Sequence, residues 1–145
     1  MLKIVCLALF VVAVSAGIPY KDCGHSEVTS LEVSGCPSAP CILHKGKETT
    51  FTIKYTANQD SAKAEWSLHA IVGGVDMDLS TLIPGFDKDG CKDTPCPIKK
   101  GESKTFTYKV VIPAAAPDVE ADVKARLIGE KSDLFCGTVH GSIKA

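Results

Sequence analysis

Six of the seven cysteines in this 145-residue chain have a spacing that indicates definite chemistry, and the seventh, Cys6, lies in the N-terminal segment described below. Four of them form two Cys-x4-Cys units, Cys36 with Cys41 and Cys91 with Cys96. Such units can close small disulfide loops, or their four thiolates can together hold one zinc ion. Disulfides are favoured, because the N-terminus described below indicates a secretory route and disulfides form in oxidising compartments.

The pairing of these cysteines is not fixed by their spacing, since six cysteines allow fifteen pairings. The two Cys-x4-Cys units are natural local pairs, which would leave Cys23 with Cys136. A Cys23–Cys136 bond would close a loop of over 100 residues. In the chain-entropy model such a bond contributes about 4–5 kcal/mol to stability.

Motifs for enzyme chemistry are missing from the sequence. It contains no Gly-x-Ser-x-Gly, no His-Glu-x-x-His, no P-loop and no Gly-x-Gly-x-x-Gly. Aspartates near Gly90 lack the terminal glutamate of a calcium-binding loop. We therefore predict a protein that is not an enzyme and holds no metal or cofactor. The four histidines are far apart and are interpreted as surface or turn residues: His25, His44, His69 and His140.

The N-terminus has the three parts of a secretory signal peptide. Lys3 supplies a charge, residues 4–14 are apolar, and small residues follow up to Ala16. We place cleavage after Ala16, so residues 1–16 form the signal peptide and residues 17–145 form one domain. The 16 basic and 17 acidic residues are scattered, which argues against nucleic-acid binding and against a polybasic membrane contact.

The elements that position the cysteines include a unit that occurs twice. Residues 36–54 and 91–109 align at an offset of 55, and nine of nineteen positions are identical. Each copy has a Cys-x4-Cys loop, a Lys-Gly turn and a strand in which apolar and polar residues alternate. Two such units in one small chain suggest two sheets that face each other.

The rest of the chain also alternates with a period of two, which is typical of half-buried strands. No stretch shows a helical stripe. Many short strands with turn residues between them predict an all-β, immunoglobulin-like antiparallel two-sheet sandwich. The alternating stretches are residues 28–33, 49–57, 64–72, 75–79, 106–112, 119–127 and 134–143.

Several alanines occupy the positions of these strands that are expected to face inward: Ala64, Ala70, Ala121 and Ala125. Small residues on an inner face either let the sheets approach or leave space. A hollow apolar interior would stay dry and bind a mostly hydrocarbon guest. The alternative is a tightly packed core. The larger inward candidates are Phe51, Ile53, Tyr55, Trp66, Leu68, Met77, Leu79, Phe106, Tyr108, Val110, Ile112, Val123 and Leu127.

The cysteine order, with its proline and glycine neighbours, resembles the lipid-recognition (ML) domain family. That family contains the Niemann–Pick type C2 or epididymal secretory proteins and the group 2 mite allergens, and the resemblance covers the whole mature chain. The motifs that carry it are Tyr20-Lys21-Asp22-Cys23-Gly24, Cys36-Pro37-x-x-Pro40-Cys41, Lys45-Gly46, Asp89-Gly90-Cys91-Lys92, Cys96-Pro97-Ile98 and Leu134-Phe135-Cys136.

The resemblance implies an apolar lipid pocket between the two sheets, and favours the hollow interior over the packed core. It also implies a pocket mouth between residues 77–86 and 112–117. We predict this lipid-binding set: Phe51, Ile53, Tyr55, Trp66, Leu68, Met77, Leu79, Phe106, Tyr108, Val110, Ile112, Ala116 and Val123. The implied disulfides are Cys23–Cys136, Cys36–Cys41 and Cys91–Cys96.

Differences from the sterol carriers of the family lie at the mouth. Leu79, Ile112 and Ala116 occupy positions where the sterol carriers have portal residues, two of which are aromatic or bulkier, and the loop over residues 79–89 is longer. A wider or differently shaped mouth follows, so fatty acids are expected ligands besides cholesterol-like sterols. Bound lipid takes the place of a cofactor.

The expected role is a secreted, monomeric lipid-binding and transfer protein that exchanges lipid with a membrane donor or an acceptor protein. Asn58, the one asparagine, is not part of a glycosylation sequon, so an extracellular location is expected, with lysosomal delivery open by a route other than glycan recognition. Two alternatives remain: an innate-immune sensor of microbial lipid, and a protein-recognition immunoglobulin-like module with a solid core.

Overall fold

The computed structural model describes residues 19–36 and 41–144. The predicted signal peptide at residues 1–16 lies outside these residues. Short 3-10 turns at Leu79–Thr81 and Gly90–Lys92 are the only helical segments in the described ranges. The strands are β1 (Lys21–Asp22), β2 (Val28–Val33), β3 (Cys41–His44), β4 (Glu48–Thr56), β5 (Glu65–Val72), β6 (Val75–Asp78), β7 (Ser103–Val111), β8 (Val119–Ile128) and β9 (Asp133–Lys144).

The strands form two sheets that pack face to face. One sheet has three strands in the order β2-β4-β7, all antiparallel. The other has six strands, in which β9 pairs with β8, β8 pairs with β5, and β5 pairs with β6. Strands β1 and β3 both lie along the other side of β9, β1 antiparallel and β3 parallel. In the described part of the chain, no helix is long and apolar enough to cross a membrane.

The strands of the two similar units do not belong to separate sheets, as the sequence suggested. Strands β4 and β7 are antiparallel neighbours in the three-stranded sheet, with Phe51 opposite Tyr108 and Ile53 opposite Phe106. The expectation was wrong because period-two alternation reports which face of a strand is buried and not which strand it pairs with. The repeated units therefore build one wall of the sandwich.

Strands β1 and β3 were not predicted. Each is short, at two and four residues, and adds to the edge of β9 rather than to the strand next to it in sequence. In β3 the burial still alternates, because Cys41 and Leu43 are buried while Ile42 is 40% exposed. The predicted strand over residues 75–79 is also shorter than expected, since Leu79 begins a 3-10 turn.

Three disulfides are present in the structure: Cys23–Cys136, Cys36–Cys41 and Cys91–Cys96. The long-range bond joins the end of β1 to β9, and backbone N–H of Cys23 also donates to the Cys136 carbonyl. The Cys91–Cys96 bond closes the loop that contains the second 3-10 turn. These bonds fix the edge of the large sheet and the loops around the interior.

Candidate functional site

One end of the sandwich interior is filled by aromatic rings. Trp66 of β5 packs against Phe106 of β7 with ring centroids 4.4 Å apart, and Tyr55 of β4 packs against Phe135 of β9 at 5.0 Å. All four side chains are buried. The Tyr55 hydroxyl is hydrogen-bonded to the Thr94 hydroxyl at 3.1 Å, and burial raises the pKa of Tyr55. This end is a solid core.

The other end of the interior is hollow. Along the same strands, farther from the rings, the inward-facing side chains are smaller. They include Ala70 on β5, Ala121 on β8 and Gly141 on β9. Small side chains leave space that the facing sheet does not fill, and a cavity of about 320 Å³ results. Its lining residues are Leu43, Phe51, Leu68, Ala70, Val72, Met77, Leu79, Leu82, Ile83, Val110, Ile112, Pro113, Ala115, Ala116, Pro117, Val119, Ala121, Val123, Gly141 and Ile143.

The side chains that line the cavity are all apolar. None of its side chains carries a nitrogen or oxygen atom, and the Met77 sulfur is the one heteroatom. Burying a polar or charged group without a hydrogen-bond partner costs several kcal/mol, so such groups are excluded from this space. The volume lies within the range of known ligand pockets, which begins at about 300 Å³. The site therefore suits one apolar molecule or the apolar part of an amphiphile.

The mouth of the cavity lies between two irregular segments. One lip is the 3-10 turn Leu79–Thr81 together with Leu82 and Ile83, which follow it. The other lip is the connector over residues 113–117 between β7 and β8. Leu82 is 55% exposed although it also lines the cavity. These are the segments in which the resemblance placed the mouth.

Eight of the thirteen predicted lipid-binding residues line this cavity. They come from seven segments: strands β4 to β8, the first 3-10 turn and the segment between β7 and β8. Their contact with lipid stays a prediction. The eight residues are Phe51, Leu68, Met77, Leu79, Val110, Ile112, Ala116 and Val123.

The other five predicted residues do not line the cavity: Ile53, Tyr55, Trp66, Phe106 and Tyr108. All five are buried and point inward as expected, but they belong to the solid end of the sandwich. Their placement at the site is corrected because alternation predicts the inner face and not the position along the strand. The rings occupy the space between the sheets at that end.

Twelve of the lining residues lie outside the predicted lipid-binding set. Ala70 and Ala121 were nevertheless identified as small inward residues, and Leu82, Ile83, Pro113, Ala115 and Pro117 fall within the predicted mouth segments. Val72 and Val119 share the inward parity of β5 and β8 and were within reach of the same alternation. Leu43 lies on the unpredicted strand β3, and Ile143 at the end of β9 pairs with it. Leu82, Ile83 and the prolines of the connector have no periodic signal.

Two histidines form surface pairs with aspartates on the large sheet. His69 is hydrogen-bonded to Asp76 at 2.7 Å and His140 to Asp122 at 2.8 Å, all on the outer face of the large sheet. Among the described residues, no three His, Cys, Asp or Glu side chains are arranged to hold a metal ion. These pairs therefore join neighbouring strands on the surface, away from the cavity.

Sequence comparison places the chain in a known family. The family model described as ML domain matches residues 17–143. The chain belongs to the ML domain family. It is 44% identical over 145 residues to mite group 2 allergen Lep d 2 of Lepidoglyphus destructor, covering 99% of this chain and 100% of that protein. It is 36% identical over 146 residues to mite group 2 allergen Der f 2 of Dermatophagoides farinae, covering 98% and 97%.

Solved structures show the same fold for this ML domain. A Niemann–Pick type C2 protein from Japanese carpenter ant superposes with a TM-score of 0.76 at 20% identity, over 87% of this chain and 99% of that one. Chicken MD-1, solved in complex with lipid IVa, gives a TM-score of 0.54 at 17% identity, over 83% and 85%. The predicted all-β, immunoglobulin-like two-sheet sandwich is thereby confirmed.

The lip formed by the 3-10 turn depends on Asp78. Its carboxylate accepts a hydrogen bond from the Ser80 backbone N–H at 2.9 Å, and hydrogen bonding from Ser80 holds the pKa of Asp78 below its ordinary value of 3.8. A depressed folded-state pKa means that the cap is fully present above pH 3.8. Its stabilisation is lost as the pH falls through the lower folded-state value.

Replacing Asp78 by alanine is expected to loosen this lip of the ML domain. We expect amide hydrogen exchange at Ser80 to accelerate roughly fivefold at neutral pH, the effect of losing a cap. Asp78→Asn is the matched control, since its amide oxygen can still accept the bond, and exchange should stay near the wild-type rate. Equal exchange in all three proteins would show that the cap does not hold the turn.

Proposed function

We propose that this ML domain is a secreted lipid carrier that binds one long-chain fatty acid or sterol in the cavity between its sheets and transfers it between a membrane and an acceptor. The observation that supports the proposal best is the cavity wall, which offers hydrocarbon and no polar side chain. The solved complex of the related MD-1 fold with lipid IVa is consistent with a lipid ligand. Binding itself is the activity, and the lipid is the only ligand required.

Burial of hydrocarbon supplies the affinity. Each buried methylene contributes about 0.8 kcal/mol, so full burial of about sixteen methylenes would gain at most roughly 13 kcal/mol. Incomplete burial of the chain, together with association and ordering costs, reduces this gain by several kcal/mol. About 8 kcal/mol remains, which corresponds to micromolar dissociation.

A flexible acyl chain fits the observed cavity more readily than a rigid sterol. A volume of about 320 Å³ lies near the lower end of the range of known ligand pockets. An acyl chain can bend to fill this space and leave surplus length in the mouth. A four-ring sterol requires the connector and the 3-10 turn to move apart before it can enter.

Secretion is part of the proposal. Disulfides persist in oxidising compartments, and the three disulfides of this chain fit an extracellular protein. A monomer is part of the same proposal, since the two sheets of a single chain enclose the described cavity.

The proposal is tested with an apolar dye whose emission rises when it leaves water. The dye should bind the lipid-stripped protein at one saturable site, and oleate or cholesterol should displace it competitively. Displacement by oleate alone would assign a fatty acid as the ligand. Absence of saturable dye binding, with no uptake of either lipid, would overturn the carrier and favour a protein-recognition module.

A further inference from the structure

A carboxylate head of a bound fatty acid has no partner inside the cavity. The lining side chains carry no nitrogen or oxygen atom. The head must therefore lie at the mouth, in water or against a cation held there. Which cation the fold places at the mouth then decides whether the site distinguishes a fatty acid from a neutral lipid with the same chain.

Lys45 is the lysine that the fold fixes beside the connector lip. Its backbone N–H donates to the Lys144 carbonyl at 2.9 Å, and the Gly46 N–H donates to the Ile112 carbonyl at 2.7 Å. Ile112 lines the cavity, as does Leu43 two residues before Lys45. Gly46 has a φ of +74°, a conformation that glycine adopts without strain, so the turn that carries Lys45 is well defined.

The partner of Lys45 marks the position of its ammonium group. Lys45 Nζ pairs with the carboxylate of Asp118. Asp118 follows Pro117 and precedes Val119, both of which line the cavity. The ammonium group therefore lies at the outer side of the connector, where an acyl chain emerging from the cavity would place its head.

The other lysine and arginine pairs in the described residues are placed differently. Lys92 pairs with Asp87 beside a surface groove that shares Ile83, Val110 and Pro113 with the cavity lining. Lys104 pairs with Glu102, and Arg126 with Asp133, at the aromatic end of the sandwich. Of these pairs, Lys45–Asp118 is the one whose carboxylate lies between two residues of the cavity lining.

The two partners differ in how firmly they are held. The Lys45 side chain is 17% exposed, whereas the Asp118 side chain is 64% exposed. An ion pair with one largely solvated partner contributes little, because water competes for that partner and its side chain loses freedom in pairing. A second carboxylate can replace Asp118, while Lys45 stays against the connector.

We propose that Lys45 binds the carboxylate of a long-chain fatty acid in exchange for Asp118, and so selects free fatty acids over neutral lipids with the same chain. This inference rests on the proposed carrier function. No covalent step is involved. Asp118 holds the Lys45 ammonium group beside the connector when the head is absent, and the ligand carboxylate replaces Asp118 when the chain fills the cavity.

The test compares oleate with oleyl alcohol, which has the same chain and a neutral head. Both are titrated into the lipid-stripped, disulfide-bonded protein below their aggregation concentrations, with dye displacement as the readout. Lys45→Met is expected to weaken the binding of oleate roughly five- to tenfold, which is the contribution of a charge-assisted hydrogen bond at a partly buried site. The affinity for oleyl alcohol should change by no more than about twofold. Lys104→Met is the matched control, because Lys104 is 12% exposed and pairs with Glu102 at the aromatic end, and it should change the binding of neither ligand.

A second variant tests the exchange itself. Asp118→Asn removes the competing carboxylate and keeps the shape of the side chain, so oleate should bind about threefold more tightly while oleyl alcohol is unaffected. Raising the salt concentration should weaken oleate more than the alcohol in the wild type, and this difference should vanish in Lys45→Met.

Two results would overturn the inference. Equal loss of both ligands in Lys45→Met would show that Lys45 only supports the connector, and unchanged binding of both would show that the head lies elsewhere. In either case the carrier function stands, because the wild type still binds both chains. A wild type that binds neither oleate nor oleyl alcohol would overturn the carrier function and this inference together.

Discussion

Substituting Val110 by tryptophan is expected to abolish lipid binding and leave the fold intact. Val110 of β7 is 5% exposed and lines the cavity. Inserting a large side chain into a packed core costs about 1–3 kcal/mol, but here an existing cavity can accept the indole. The ring would then occupy the space that the ligand needs, and dye binding should fall by at least tenfold. Val123→Trp, on the facing sheet, should act in the same way.

The neighbouring residue provides a matched control. Val111 follows Val110 on the same strand but points outward and is 49% exposed. Val111→Trp adds the same side chain at the surface and should leave dye binding and the circular dichroism spectrum unchanged. Normal lipid binding by Val110→Trp, with a folded spectrum, would show that the lining strands have been assigned wrongly.

Removing the Cys23–Cys136 disulfide is expected to cause the largest loss of stability. The bond spans 113 positions of sequence, and the chain-entropy model gives about 4–5 kcal/mol for a loop of that length. This is a large fraction of the 5–15 kcal/mol by which typical domains are stable. Cys23→Ala with Cys136→Ala should therefore lower the urea midpoint sharply, measured by fluorescence of Trp66.

The short disulfide gives the matching comparison. Cys36 and Cys41 are five positions apart, and the same model gives only about 2 kcal/mol for so small a loop. Cys36→Ala with Cys41→Ala should shift the midpoint by less than half as much. An equal shift for the two double variants would mean that loop length does not govern the contribution of these bonds.

The sequence predicted the faces of the strands better than their positions. Alternation placed Trp66, Phe106 and Val110 inward, and all three are buried. Whether an inward residue touches the cavity depends on what lies opposite it across about 10 Å of interior, where rings pack against rings at one end and Ala70 faces open space at the other. A single strand carries no information about that opposing layer.

The alternation of apolar and polar residues also could not predict which distant segments pair. Strand β3 adds in parallel to the end of β9, and its four residues are too few to display a pattern. The Lys45–Asp118 pair joins a turn to a connector more than 70 positions away, and only the assembled sandwich brings the two together. The long-range Cys23–Cys136 pairing could be predicted because the cysteine motifs resemble a family that implies it.

The most direct test of the carrier is native mass spectrometry of the protein secreted by a eukaryotic host, with extraction and identification of whatever lipid accompanies it. A cavity lined by apolar side chains should bind lipid as the protein passes through the lipid-rich secretory pathway. We predict the mass of the disulfide-bonded chain plus one lipid, a fatty acid or a sterol. A bare mass, with no uptake after incubation with oleate or cholesterol, would contradict the proposed function.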